Sequence, residues 1–203
     1  MTTKLLQTPY QLIGLTKLKL NSLNGLLITD GVGVGKTISA SYIIAYYSMQ
    51  FEKAVYVISP MGLVDKWVLE LKEKFDLNAT AIRKLEELKV TKSECEYHDF
   101  SKSPKIYVVS NTFLRREIDD SLDIKPGLLV IDEIHNFRNN NTLGFLSLKK
   151  ICEKSEVRVG LSATPFNNSF NDVVSIYNLL FPTYERFTID AMIGEIWSSE
   201  KIS

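Results

Sequence analysis

The stretch that most constrains this chain is Asp30-Gly31-Val32-Gly33-Val34-Gly35-Lys36-Thr37, which follows the apolar run Leu26-Leu27-Ile28 and opens a helical pattern from Thr37 to Met49. Glycine at every second position removes the side chains that would keep a ligand away from the main chain, so the backbone can close around phosphates. Its N–H groups and the helix N-terminus present fixed positive ends to an anion, and the Lys36 ammonium can reach the β- and γ-phosphates. The Thr37 hydroxyl is then placed to hold Mg²⁺. Asp30 stands where the strict phosphate-loop pattern has glycine. The plain alternative is a glycine-rich turn with no ligand, but the Gly-Lys-Thr ending between a strand and a helix disfavours it.

Around this loop, short apolar runs alternate with amphipathic segments, the pattern of strand, crossover helix and strand that builds a parallel sheet. Leu26 to Ile28, Ala54 to Ile58, Ile106 to Val109, Leu128 to Ile131 and Val157 to Leu161 are the strand candidates. Val64, Trp67, Val68, Leu71 and Phe75 recur at helical spacing, with Asp65, Lys66, Glu70 and Lys72 on the opposite face. The Thr37 to Met49 segment is apolar on most sides through Ile43 to Tyr47, so it is expected to lie close against the sheet. Phe170 to Phe181 reads as a last helix, stopped by Pro182. Residues 84–105 are a polar excursion between strands, and the pattern weakens over 183–203, a tail or the start of a linker. With 203 residues and 45% hydrophobic content, one domain with a sizeable core over residues 1–182 is expected, and disorder is excluded as its main state.

A second constellation is Leu128-Leu129-Val130-Ile131-Asp132-Glu133-Ile134-His135, an apolar strand running into two carboxylates. Downstream of a phosphate loop, Asp132 is suited to hold Mg²⁺ and Glu133 to position or deprotonate an attacking water. Taken alone, such a pair is an ordinary solvated strand end; the upstream loop is what gives it chemistry. His135 belongs to the same segment and is assigned a coupling role near the nucleotide. Gly160-Leu161-Ser162-Ala163-Thr164-Pro165 is a third strand end, where Ser162 and Thr164 can hydrogen-bond the carboxylates or a γ-phosphate and report its state.

Lys plus Arg and Asp plus Glu both number 24, so overall charge gives no reason to expect or exclude nucleic acid. Cys95 and Cys152 form no Cys-x-x-Cys pattern, so neither zinc nor a disulfide framework is implied. No apolar stretch approaches the roughly 18–20 residues that span a bilayer, and a cytoplasmic protein without a membrane partner is expected.

In chain order, Asp-Gly-Val-Gly-Val-Gly-Lys-Thr, Asp-Glu-Ile-His and Leu-Ser-Ala-Thr-Pro resemble motifs I, II and III of superfamily 2 helicase-like ATPases. The flanks are similar to the Swi/Snf-type translocases of double-stranded DNA, in particular to bacterial members. Thr8-Pro9-Tyr10-Gln11 resembles that family's opening, in which the glutamine reads adenine, and the family also carries Asp at the place of Asp30. Ser59 to Trp67 is similar to motif Ia and Val109 to Leu114 to motif Ib. Asn136-Phe137-Arg138-Asn139 and Pro165-Phe166-Asn167-Asn168 match the stretches that follow motifs II and III. Ile134, where Ala is usual, and the 84–105 excursion depart from the family pattern.

The resemblance, over Thr8 to Pro182, implies a RecA-like P-loop NTPase lobe of α/β class, a central parallel sheet with helices on both faces. It implies ATP and Mg²⁺ as ligands. Gln11, Asp30, Gly31, Gly33, Gly35, Lys36 and Thr37 would bind nucleotide, and Thr37 and Asp132 the metal. Lys36, Asp132 and Glu133 would carry the chemistry, with His135, Ser162 and Thr164 coupling. It further implies sequence-independent contact with the backbone of double-stranded DNA near Pro60, Met61, Asn111 and Thr112. Family members pair this lobe with a second RecA-like lobe that supplies arginine fingers, and nothing after Pro182 resembles one, so such a lobe is the expected partner. The rival from another class is a non-catalytic P-loop switch or scaffold. A GTPase is disfavoured because no Asn-Lys-x-Asp motif occurs, and a small-molecule kinase because it would have no need of the Ser-Ala-Thr-Pro segment.

Overall fold

The computed structural model describes residues 9–29, 31, 35–50, 53–84, 87, 105–115, 124–164 and 170–182. In chain order the elements are α1 (Pro9–Leu20), β1 (Gly25–Ile28), α2 (Lys36–Ser48), β2 (Val55–Ser59), α3 (Val64–Phe75), β3 (Ala79–Ile82), β4 (Ile106–Ser110), β5 (Leu128–Ile131), α4 (Leu143–Lys154), β6 (Val157–Leu161) and α5 (Phe170–Leu180). Short 3₁₀ turns at Met61–Leu63, Asn111–Arg115 and Ile134–Phe137 follow β2, β4 and β5.

The strands form one sheet in the order β1-β6-β5-β2-β4-β3, and every pairing is parallel. All residues of β2, β4, β5 and β6 are buried, as expected where both faces of a parallel sheet are covered. The two-residue period of a strand divides them between two cores. Val55, Val57, Ile106, Val108, Leu128 and Val130 face one way, into a core shared with Ile43 and Ile44 of α2 and Trp67 and Leu71 of α3. Tyr56, Ile58, Tyr107, Val109, Leu129 and Ile131 face the other, against Leu148 and Ile151 of α4 and Ile176 and Leu179 of α5. The expected architecture, a parallel sheet with helices on both faces, is therefore the one found.

All five strand candidates and all three helix candidates correspond to observed elements. Helix α2 buries Ser39 to Ile44, Tyr47 and Ser48, which explains an apolar pattern too wide for a surface helix. Strand β3 and helices α1 and α4 are additions to the sequence reading. The polar excursion begins just after β3, and apart from Lys84, Glu87 and Lys105 it lies outside the described residues, as does 183–203. Among the described residues no helix is long and apolar enough to cross a membrane.

The amino-terminal edge of the sheet is stapled by one buried cation. Arg158 of β6 donates from Nε to Leu180 O at 2.8 Å, and from Nη1 to Ser155 O at 2.8 Å and Cys152 O at 3.0 Å. It thereby supplies donors to carbonyls at the ends of α4 and α5, of which Cys152 O also accepts the Ser155 N–H at 3.1 Å. Its register neighbour is Gly25. A Cβ at Gly25 would meet Leu180 O at 2.5 Å, so glycine is what lets the end of α5 approach the β1–β6 pair.

Candidate functional site

The chemistry-bearing residues gather at the carboxyl ends of the strands, where open parallel sheets bind ligands. The strand order fixes their neighbours. Gly31 and Lys36 follow β1, Ser162 follows β6, and Asp132 and Glu133 follow β5. Backbone bonds lock these ends together: Ser162 N–H donates to Ile28 O at 3.0 Å and Asp132 N–H to Ile58 O at 2.8 Å.

At the phosphate loop, Gly35 has φ +99°, a left-handed conformation that L side chains rarely adopt, and it leads into α2. Lys36 Nζ donates to Gly31 O at 3.0 Å, so the lysine reaches back across the loop. Asp30 and Gly33 lie outside the described residues. Gln11, on α1, lies against the loop: a Cβ at Gly35 would sit 3.3 Å from its Nε2. Gln11 Oε1 is buried and, among the described residues, has no hydrogen-bond partner. A buried acceptor left unmatched costs roughly 1–3 kcal/mol unless a ligand donor completes it, which fits a base edge at this position. Thr37 stands in the first turn of α2, partly buried, and a hydroxyl and a carboxylate are the hard oxygen donors that Mg²⁺ takes. The residues present thus fit a magnesium nucleotide.

Asp132 is 9% exposed. Its Oδ2 accepts from the Trp67 indole N–H at 2.8 Å and from Ser59 Oγ at 3.4 Å. Burial pushes its pKa above the usual carboxylate value, opposed by the hydrogen bonds from Trp67, the Glu133 backbone and Ser59 and by the charge of Lys36. Glu133 has φ +50°, where a side chain costs roughly 1–2 kcal/mol, and it forms with Asp132 the turn that follows the end of β5. Glu133 Oε2 lies 3.2 Å from His135 Nδ1, which is also 3.0 Å from Ser162 Oγ. Ser162 Oγ in turn accepts the Thr164 N–H at 3.1 Å. The structure therefore gathers Glu133 and Ser162 about the same ring nitrogen of His135, with Thr164 joined to Ser162 through its backbone N–H.

The four residues expected to touch DNA also come together. Strands β2 and β4 are adjacent with Ser59 opposite Ser110, so Pro60-Met61 and Asn111-Thr112 leave the sheet side by side. Met61 and Thr112 are exposed, whereas Pro60 and Asn111 are partly buried. Ser110 and Thr112 share a hydroxyl hydrogen bond of 2.8 Å that shapes the second loop. Asn111 also lines a cleft of about 490 Å³ with Asn136, Phe137, Thr142, Leu143 and Gly144.

Sequence reasoning missed the bonds that Trp67 and Ser59 make to Asp132. Trp67 was legible only as part of the apolar face of α3, and no local signal ties it to a carboxylate 65 residues away.

A phosphate loop on β1 and paired carboxylates on β5 of a six-stranded parallel sheet define a RecA-like P-loop lobe. The chain belongs to the SNF2-related domain family, whose model matches residues 10–187. It is 28% identical over 160 residues to a Bacillus subtilis (strain 168) protein named "Uncharacterized ATP-dependent helicase YqhH", covering 77% of this chain and 26% of that protein. It is 28% identical over 189 residues to Chromodomain-helicase-DNA-binding protein 6 of Rattus norvegicus, covering 86% of this chain and 7% of that protein. The solved Sulfolobus solfataricus SWI2/SNF2 ATPase core in complex with dsDNA superposes with a TM-score of 0.69 at 25% identity, over 89% of this chain and 37% of that one. The chain thus spans about a quarter or less of these two curated relatives and about a third of that solved core.

Proposed function

We propose that this chain is the ATP-binding first lobe, over residues 1–182, of a motor that couples ATP hydrolysis to movement along double-stranded DNA or to remodelling of protein–DNA complexes. The observation that carries this reading is the shared end of the sheet: the phosphate loop after β1, the Asp132-Glu133 pair after β5 and the two candidate DNA loops after β2 and β4 all leave it on the same side, with β5, β2 and β4 adjacent and β6 standing between β1 and β5. Membership of the SNF2-related family and the likeness to a core solved with dsDNA support it.

In this reading Lys36 and the loop N–H groups hold the β- and γ-phosphates, and Gln11 offers to the base its Oε1, unmatched among the described residues. Asp30, Gly31, Gly33 and Gly35 shape the loop. Thr37 and Asp132 hold Mg²⁺, which when bound neutralises charge developing on the phosphates. Glu133 orients and deprotonates the attacking water, and the His135–Ser162–Thr164 chain links that carboxylate to the end of β6. Pro60, Met61, Asn111 and Thr112 meet the DNA backbone. The second RecA-like lobe supplies the arginine finger, worth about 10³ to 10⁵ in turnover in comparable systems.

Two binding experiments test this. Calorimetric titration should show MgATP binding that Lys36→Ala weakens by about ten- to a hundredfold, the loss of a charge-assisted phosphate contact; equal affinity in both proteins would contradict it. Duplex DNA should bind weakly, with affinity falling as salt rises and little dependence on sequence, because backbone contacts release counterions and read no bases. Binding that survives high salt and favours one sequence would contradict the DNA assignment.

A further inference from the structure

Both side chains that hydrogen-bond Asp132 come from the segment 59–67, outside the phosphate loop and the β5 strand. Trp67 is 2% exposed in the first turn of α3, and Ser59 is fully buried at the end of β2. Their donors converge on one oxygen, Oδ2, at 2.8 and 3.4 Å. The carboxylate also accepts the Glu133 backbone N–H, so it is held from β2, from α3 and from the turn that follows β5. The indole N–H is the only polar group tryptophan has, and a bond from it to a carboxylate is directional as well as strong. Phenylalanine would fill most of the same space in the core and supply no donor.

We infer that Trp67, helped by Ser59, is a positioning residue for the metal: it fixes the Asp132 carboxylate in the orientation in which it would hold the magnesium of the bound nucleotide. This inference rests on the nucleotide site proposed above. Groups that orient a metal's carboxylate are typically worth 10- to 100-fold in metal affinity. The same segment carries Pro60 and Met61 between the two donors, so the candidate DNA loop and the metal carboxylate are joined through a single turn of helix.

The test is the Mg²⁺ dependence of ATP affinity, measured calorimetrically on the 203-residue chain and its Trp67→Phe variant. Trp67→Phe should raise the Mg²⁺ concentration needed for half-maximal tightening about tenfold while leaving Mg²⁺-free ATP affinity unchanged. A purely structural tryptophan would lower both affinities together, or neither, and either result overturns the inference. Should wild type bind ATP with no response to Mg²⁺, or not at all, the proposed site fails and the inference with it. If Trp67→Phe does not fold, the decision passes to Trp197→Phe, which leaves Trp67 as the single tryptophan. Its indole N–H resonance should move when Mg²⁺ is added to the ATP-bound chain, and an unmoved resonance would overturn the inference.

Discussion

Glu133→Gln, placed in the two-lobed assembly proposed above, should lower DNA-stimulated ATP turnover by about 10² to 10⁴, the usual contribution of a general base, and leave MgATP affinity within about twofold. Glutamine keeps the size of the side chain and its capacity to accept a hydrogen bond, but it cannot take a proton from water. Asp132, hydrogen-bonded by Trp67 and Ser59, is untouched by the change, so the side of the site proposed to hold the metal survives. Glutamine can also retain the 3.2 Å contact to His135 Nδ1, so the link to Ser162 need not break. Single-turnover kinetics beside equilibrium binding separate the two effects. In a switch or scaffold that binds nucleotide without hydrolysing it, the same substitution would change little, and unchanged turnover in the assembly would remove Glu133 from the mechanism.

Arg158→Ala should destabilise the fold by about 3–5 kcal/mol, from two buried carbonyls left unmatched and a lost side chain, a large fraction of the roughly 5–15 kcal/mol that holds a domain together. The guanidinium is buried, and its three bonds tie the carbonyl ends of α4 and α5 to β6. Without it, Cys152 O keeps the Ser155 N–H at 3.1 Å, whereas Ser155 O and Leu180 O lose the guanidinium donors. Each buried carbonyl left unmatched costs roughly 1–3 kcal/mol, and the volume of the side chain is lost as well. Lysine could reach one carbonyl but not both helix ends, so Arg158→Lys should recover only part of the loss. Arg158 lies at the amino-terminal edge of the sheet, away from the phosphate loop, so the folded variant should bind MgATP as wild type does. Denaturant unfolding measured beside ATP titration checks both; a near-neutral unfolding curve would contradict the staple.

Most of the sheet was legible in the sequence because β2, β4, β5 and β6 are buried on both faces, and complete burial writes a continuous apolar run. Strand β3, Ala79–Ile82, lies at the sheet edge with only Ile82 buried, so its four residues carried no such signal. Helix α1 escaped because exposed Ile13 and Leu20 interrupt the inward row of Leu12, Leu15 and Leu18. Helix α4 begins after the polar run Asn139 to Thr142 and carries exposed Leu143 and Leu146, which blurs its apolar face. The candidate site was read from motifs made of contiguous residues, each sitting at one strand end. What joins those motifs was not readable: the Trp67–Asp132 and His135–Ser162 bonds and the approach of Gln11 to Gly35 depend on strand order, which residue spacing does not encode.

The most direct measurement of the central claim is ATP turnover by this chain, wild type and Lys36→Ala, with and without duplex DNA in one titration series. A first lobe without its arginine-bearing partner should bind MgATP in a Lys36-dependent manner and turn it over negligibly, with no rise when DNA is added. Robust DNA-stimulated hydrolysis by the isolated chain would contradict the two-lobe account.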